Sequence, residues 1–151
     1  MINFFSANFT LPSFLTGQWQ LQRLGWIGTG EGKRQIMRMS GQAEITETDD
    51  GLLFSERGVM HFDEYHGSAE RQYLFRPVNP TTMQVFFDDG RYFHEMAFSG
   101  KRADVYHMCM PDDYSGRYRI LDQDSWCLNW RIIGPHKNSL ISSRFQRIHS
   151  N

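Results

Sequence analysis

Along most of the chain, apolar side chains recur at every second position. They fall in short runs rich in aromatic and β-branched residues, interrupted by Gly, Pro, Asp and Asn about every ten residues. Period two puts alternate side chains on opposite faces of a strand. The pattern predicts ten strands, near Gly17–Ile27, Ile36–Thr48, Leu52–Phe62, Ala69–Val78, Thr82–Asp88, Arg91–Ser99, Ala103–Met110, Asp113–Leu121, Ser125–Ile133 and Ser139–Ile148. Corners fall at Asp49-Asp50-Gly51, His66-Gly67, Asn79-Pro80, Asp89-Gly90, Pro111-Asp112 and Gly134-Pro135. One stretch differs: in Thr10–Leu15 the spacing of Leu11, Phe14 and Leu15 predicts a short helical turn, with Thr10 as N-cap and Pro12 early in it. A meander of this length hides its edge strands most readily by closing on itself. The expected fold is all-β, a single antiparallel up-and-down β-barrel of about ten strands with a short N-terminal helical turn, filling residues 1–151 as one domain.

Tight corners set which side chains face inward. If Asp89-Gly90 is a two-residue type I′ loop, Asp88 opposes Arg91, Phe87 opposes Tyr92, Val85 opposes His94 and Met83 opposes Met96. Directly opposed residues share a face. Met83, Val85, Phe87, Tyr92, His94, Met96 and Phe98 are then inner, and Gln84, Phe86, Asp88, Arg91, Phe93, Glu95 and Ala97 outer. A three-residue loop reverses that assignment. With Pro111-Asp112 at the next corner, Cys109 opposes Tyr114, His107 opposes Gly116 and Val105 opposes Tyr118, all inner; the missing side chain at Gly116 leaves room beside His107. Trp126, Leu128, Trp130 and Ile132 form a further inner set. So do Trp19, Leu21 and Arg23, and, less cleanly, Ala69, Arg71, Tyr73 and Phe75. Glu56, in phase with Leu52 and Phe54, is the one inner carboxylate. Two arginines against one glutamate leave a positive surplus for water or an acidic ligand group to neutralise.

Composition narrows the function. A net charge of −1 gives no global field for nucleic acid or an anionic membrane. No apolar run approaches the length of a membrane-spanning helix, and the start MINFFSANFTLPSFL lacks the basic region of a secretory signal. The two cysteines, Cys109 and Cys127, form neither a CxxC pair nor a disulfide framework. The expectation is a soluble cytoplasmic protein with no metal and no cofactor. Haem is disfavoured, since there is no CxxCH and the lining is polar. Hydrolase chemistry is poorly supported: no GxSxG and no inner pair of carboxylates are present.

Two resemblances add to this. Gly17-Gln18-Trp19, with Arg144 or Arg147 in the last strand, resembles the lipocalin (calycin) pattern, in which the GxW tryptophan packs under a late arginine at the closed end of the barrel. LPSFLTGQW (Leu11–Trp19), DGRYFH (Asp89–His94), HMCMPDDYSGRY (His107–Tyr118) and WRIIGPHK (Trp130–Lys137) together resemble a bacterial lipocalin-like family of unknown function. That resemblance implies a small lipocalin-type barrel and brings no established activity. The glycine-rich segment Gly25–Arg34 is longer than such a first corner requires.

Three readings stand side by side. In the first, the barrel binds a small, partly apolar, anionic molecule through Arg23, Arg71, Tyr73, His94, His107, Cys109, Tyr114, Tyr118 and Trp130. In the second, it is an isomerase- or lyase-type enzyme with His94 or His107 as general acid/base; Cys109 beside His107 also suggests a thiolate, although no third residue orients the pair and core cysteine fits better. In the third, the barrel is filled by its own side chains. Homo-oligomerisation is left open.

Overall fold

The computed structural model describes residues 8–29, 32 and 34–149. Helix α1 (Leu11–Leu15) is followed by ten strands: β1 (Gly17–Thr29), β2 (Arg34–Thr48), β3 (Gly51–Phe62), β4 (Tyr65–Asn79), β5 (Thr82–Phe87), β6 (Tyr92–Ala97), β7 (Arg102–Cys109), β8 (Asp112–Asp122), β9 (Ser125–Gly134) and β10 (Lys137–Arg147). They form one antiparallel sheet in the order β6-β5-β4-β3-β2-β1-β10-β9-β8-β7. The first and last strands pair, so the two edges of the sheet are β6 and β7, which lie against each other without a hydrogen-bonded ladder and nearly close the barrel. Side chains bridge that seam: Phe93 on β6 meets His107 on β7 with ring centroids 5.0 Å apart.

Alternation drives this arrangement. On β2, Met37, Met39, Ala43 and Ile45 are buried while their neighbours face solvent, as a half-buried strand requires. Helix α1 closes one end. The Thr10 hydroxyl accepts from the Ser13 backbone N–H at 3.2 Å, the N-cap arrangement the sequence predicts. Leu11, Phe14 and Leu15 of this helix are buried. Trp19 is fully buried above it and donates from its indole to the Leu15 carbonyl at 2.9 Å. The late arginine of the lipocalin pattern is Arg147. Its guanidinium lies 4.3 Å from the Trp19 ring centroid and donates to the carbonyls of Phe14, Thr16 and Gln123. Arg144 is exposed.

Several corners differ from the sequence reading: the turns are Asp49-Asp50, Pro80-Thr81 and Pro135-His136 rather than the expected Asp49-Asp50-Gly51, Asn79-Pro80 and Gly134-Pro135, and three further differences bear on the site. The β3–β4 turn is Asp63-Glu64, with Asp63 at φ 56°, and His66-Gly67 belong to the ladder opposite His61 and Met60. The β7–β8 corner is Met110-Pro111, joined by a cis peptide, so Cys109 opposes Asp112, His107 opposes Tyr114 and Val105 opposes Gly116. That slip of two residues keeps every side chain on its expected face, but it overturns the room beside His107. The space at Gly116 is taken by Val105 and Trp130, whose atoms would lie 2.7 and 2.8 Å from an added Cβ. Of the long first corner, Gly30, Glu31 and Lys33 lie outside the described residues.

The third difference positions the site. The Asp89-Gly90 hairpin is a three-residue loop: Gly90 N–H donates to the Phe87 carbonyl, Phe87 N–H donates to the Arg91 carbonyl, and Gly90 has φ 90°. This is the type I turn plus left-handed residue that such loops favour. Alone it would turn His94 outward. A bulge then undoes it: Phe86 pairs with Tyr92 and Val85 with His94, leaving Phe93 as the extra residue. Two one-residue offsets cancel beyond the bulge. His94 is therefore inner, 2% exposed, as expected, while Tyr92 and Phe93 exchange their expected places, at 53% and 8% exposed.

Candidate ligand-binding site

The lumen has two compartments. The inner chamber, about 150 Å³, is walled by apolar and aromatic side chains of β2, β3, β4, β5, β6, β8, β9 and β10, among them Phe54, Tyr73, Phe93, Tyr118, Trp126 and Trp130, with Arg23, Glu56, Arg71, His94 and Ser143 as its polar members. A wider vestibule of about 520 Å³ is lined by Glu70, Arg71, Gln72, Tyr73, Phe87, Asp88, Phe93, His107, Cys109, Tyr114, Ile132 and Ile141. The two share Arg71, Tyr73, Phe93 and Ile141. Phe93, brought inward by the bulge, stacks between Phe87 (4.5 Å, 14°) and Trp130 (5.5 Å, 8°) and forms part of the partition.

Arg23 does not serve as a free cation. Nη1 and Nη2 meet the two carboxylate oxygens of Glu56 at 2.6 and 2.9 Å, and Nε donates to Ser143 Oγ at 2.7 Å. The bidentate geometry matches guanidinium to carboxylate and leaves no net charge at this depth. The positive surplus read from the sequence lies instead at Arg71. Its side chain is exposed where the compartments meet and donates to the Tyr73 hydroxyl at 3.1 Å. Among the described residues no carboxylate lies within ion-pairing distance of it.

His94 carries no charge at neutral pH. Burial, with a smaller contribution from the neighbouring His107, pushes its pKa down to about 3. Nε2 lies 2.8 Å from the Tyr118 hydroxyl, and burial pushes the Tyr118 pKa up, so both partners are neutral. With so low a pKa, His94 is a poor general base near pH 7. Among the described residues, His94 Nδ1 and Trp126 Nε1, buried atoms of two chamber residues, have no hydrogen-bond partner.

Of the other expected contacts, Tyr73, Tyr118 and Trp130 line the inner chamber, and His107, Cys109 and Tyr114 line only the vestibule. His107 is half-buried and Cys109 exposed at the rim. The sequence placed Trp126 and Phe54 inward without naming them as contacts. Alternation alone puts Phe93 on the outer face; the bulge turns it inward. Among the described residues no three His, Cys, Asp or Glu side chains are placed to hold a metal ion, and no helix is long and apolar enough to cross a membrane.

Known proteins frame this geometry. An S-type phycobiliprotein lyase from Guillardia theta superposes with a TM-score of 0.68 at 9% identity, over 95% of this chain and 96% of that one. A protein of unknown function from Nostoc punctiforme, of the DUF3598 family, superposes with a TM-score of 0.58 at 11% identity, over 93% of this chain and 51% of that one. At such identities the likeness is one of fold, and it agrees with a lipocalin-like barrel. No curated protein matches the sequence. A family model does match, over residues 15–147, from the last residue of α1 to the last of β10, and on that basis the chain belongs to the family of unknown function DUF6314.

Proposed function

We propose that the protein is a binding module whose lumen receives a small, partly apolar molecule carrying an anionic group. The observation that carries this reading is the divided lumen: a recessed aromatic chamber meeting a vestibule at an arginine that has no carboxylate partner among the described residues. Ligand sites combine this kind of apolar concavity with a few fixed polar groups. The ligand's body lies among Phe54, Tyr73, Phe93, Tyr118 and Trp130. Its charge sits at Arg71, with His107 and Tyr114 beside the exit and Glu70 and Asp88 limiting how much negative charge the vestibule accepts. Arg23, neutralised by Glu56, is a wall of the chamber and no longer part of the anion site.

Native mass spectrometry of protein purified from cells tests for a retained molecule as added mass. Titration with 2-naphthoate, followed by tryptophan fluorescence, tests the chemistry. Wild-type protein should bind it, and Arg71→Leu should weaken binding about tenfold, since an exposed charge-assisted contact is worth roughly 1–2 kcal/mol. Equal affinity in the two proteins would remove Arg71 from the site. No binding to either, with no added mass, would overturn the reading.

A further inference from the structure

The hydrogen-bond inventory of the inner chamber is unbalanced in one direction. Tyr118 and His94 share a single contact, hydroxyl oxygen to Nε2 at 2.8 Å. Both are neutral, so one proton lies between them. Among the described residues the Tyr118 hydroxyl has no other partner, so it donates to Nε2, and the imidazole proton then sits on Nδ1. Nδ1 is without an acceptor. Trp126 Nε1, always a donor, is in the same condition although the residue is only 4% exposed. Both residues line the same chamber, and both pack against Tyr118, with ring centroids 5.7 and 6.1 Å from it. Buried N–H groups are seldom left unpaired, and when they are, a ligand or water usually supplies the missing partner. The chamber's acceptors are meanwhile committed, since both oxygens of Glu56 are held by Arg23.

Building on the lumen as a small-molecule site, we infer that the inner chamber reads a neutral hydrogen-bond acceptor, a carbonyl or ring-nitrogen group on a flat ring, through Trp126 Nε1–H and His94 Nδ1–H. The ligand then has two distinct ends: an uncharged acceptor at depth and an anionic group near Arg71. A carboxylate at depth is disfavoured because Glu56 and the neutral His94 supply no positive charge to meet it. The chamber volume of about 150 Å³ is that of cavities that admit a single benzene-sized ring.

Acetophenone and ethylbenzene separate the inference from its foundation, because they share a shape and differ in one acceptor oxygen. Binding is read from ¹H–¹⁵N spectra of the wild-type protein, with the Trp126 indole resonance assigned by its loss in Trp126→Phe. The inference expects acetophenone to bind about tenfold more tightly than ethylbenzene and to move the Trp126 indole proton downfield. Trp126→Phe should erase that preference, read as the ratio of the two affinities within each protein, so that a change in chamber size felt by both probes cancels. If both probes bind alike and the indole resonance stays still, the donor assignment is wrong and the lumen reading survives. That result would follow if the N–H points at the face of Trp19, which meets Trp126 edge to face. If neither probe binds, the inference falls, and the lumen reading is decided by the 2-naphthoate titration. Should Trp126→Phe not fold, because its ring stacks on Phe145 at 3.9 Å, the two wild-type titrations still decide.

Discussion

Removal of Glu56 isolates the one ion pair that lies buried inside the barrel among the described residues. Its carboxylate is 2% exposed and Arg23 only 15%, so neither charge is well hydrated. With charge centres about 4 Å apart and an effective dielectric near 20, their attraction is about 4 kcal/mol. Glu56→Ala deletes that attraction and leaves a guanidinium held only by the neutral acceptors Ser143 Oγ and Met39 Sδ. A charge uncovered in this way costs about 3–5 kcal/mol, which for a chain of this size lowers Tm by roughly 10 °C. Replacing both partners, as Arg23→Met with Glu56→Leu, removes the stranded charge as well as the bond, and the double variant should recover most of the loss. Urea unfolding of the wild type, Arg23→Met, Glu56→Leu and the double variant forms the cycle, with Glu56→Ala beside it and unchanged m-values as the check on comparability. A Glu56→Ala cost below about 1 kcal/mol, or a double variant as unstable as the sum of the singles, would show that water already screens the pair and that the chamber is wetter than its walls suggest.

Three further perturbations have defined outcomes. Because His94 titrates near 3 in the folded protein and near 6.5 unfolded, the unfolded chain binds the extra proton; stability present above pH 6.5 is lost as pH falls towards 3, by at most about 1.4 kcal/mol per pH unit. Urea midpoints at pH 7, 6, 5 and 4 should fall less steeply in His94→Phe, and parallel curves would refute the assignment. Arg147→Lys should cost about 2–3 kcal/mol, since lysine cannot reproduce three carbonyl contacts, the Asp124 ion pair and the stack on Trp19 together; thermal unfolding measures it, and a change below 0.5 kcal/mol would remove the closed-end arginine from the account. Gly116→Ala should cost about 1–3 kcal/mol by overpacking, with Val105→Ala in the same chain recovering part of it; a neutral Gly116→Ala would mean that the Trp130 ring shifts freely.

The strand map was legible because period-two burial is a property of each segment alone. Trp126, Leu128, Trp130 and Ile132 all lie on the inner face as their alternation predicts. What escaped was the count of residues at corners. Asp-Gly serves a two-residue loop and a three-residue loop equally well, because Gly90 takes positive φ in both. The bulge at Phe93 left no trace either, since Tyr92, Phe93 and Phe87 are all aromatic and none announces a face. His94 was therefore placed correctly although each offset on its own would have reversed it. Arg23 was rightly directed inward, but pairing is a cross-strand property: Glu56 reaches it from β3 across β2, a distance no single strand records.

Those same offsets give the lumen its chemistry. Without the bulge, the three-residue loop would turn His94 to solvent, the Tyr118 hydroxyl would lose its acceptor, and the chamber would lose both the neutral imidazole and the Phe93 partition. With it, two consecutive side chains face inward, one dividing the lumen and the next presenting a ring nitrogen to the deeper part. Bulges commonly re-aim a side chain in this way beside a site. Charge follows the same division. The ion pair cancels Arg23 at depth, burial keeps His94 neutral, and the uncompensated cation stands at the junction with the vestibule. On the proposed function, an entering molecule would meet attraction for an anion first and unpaired N–H groups last, and its orientation would be set by that order rather than by shape alone.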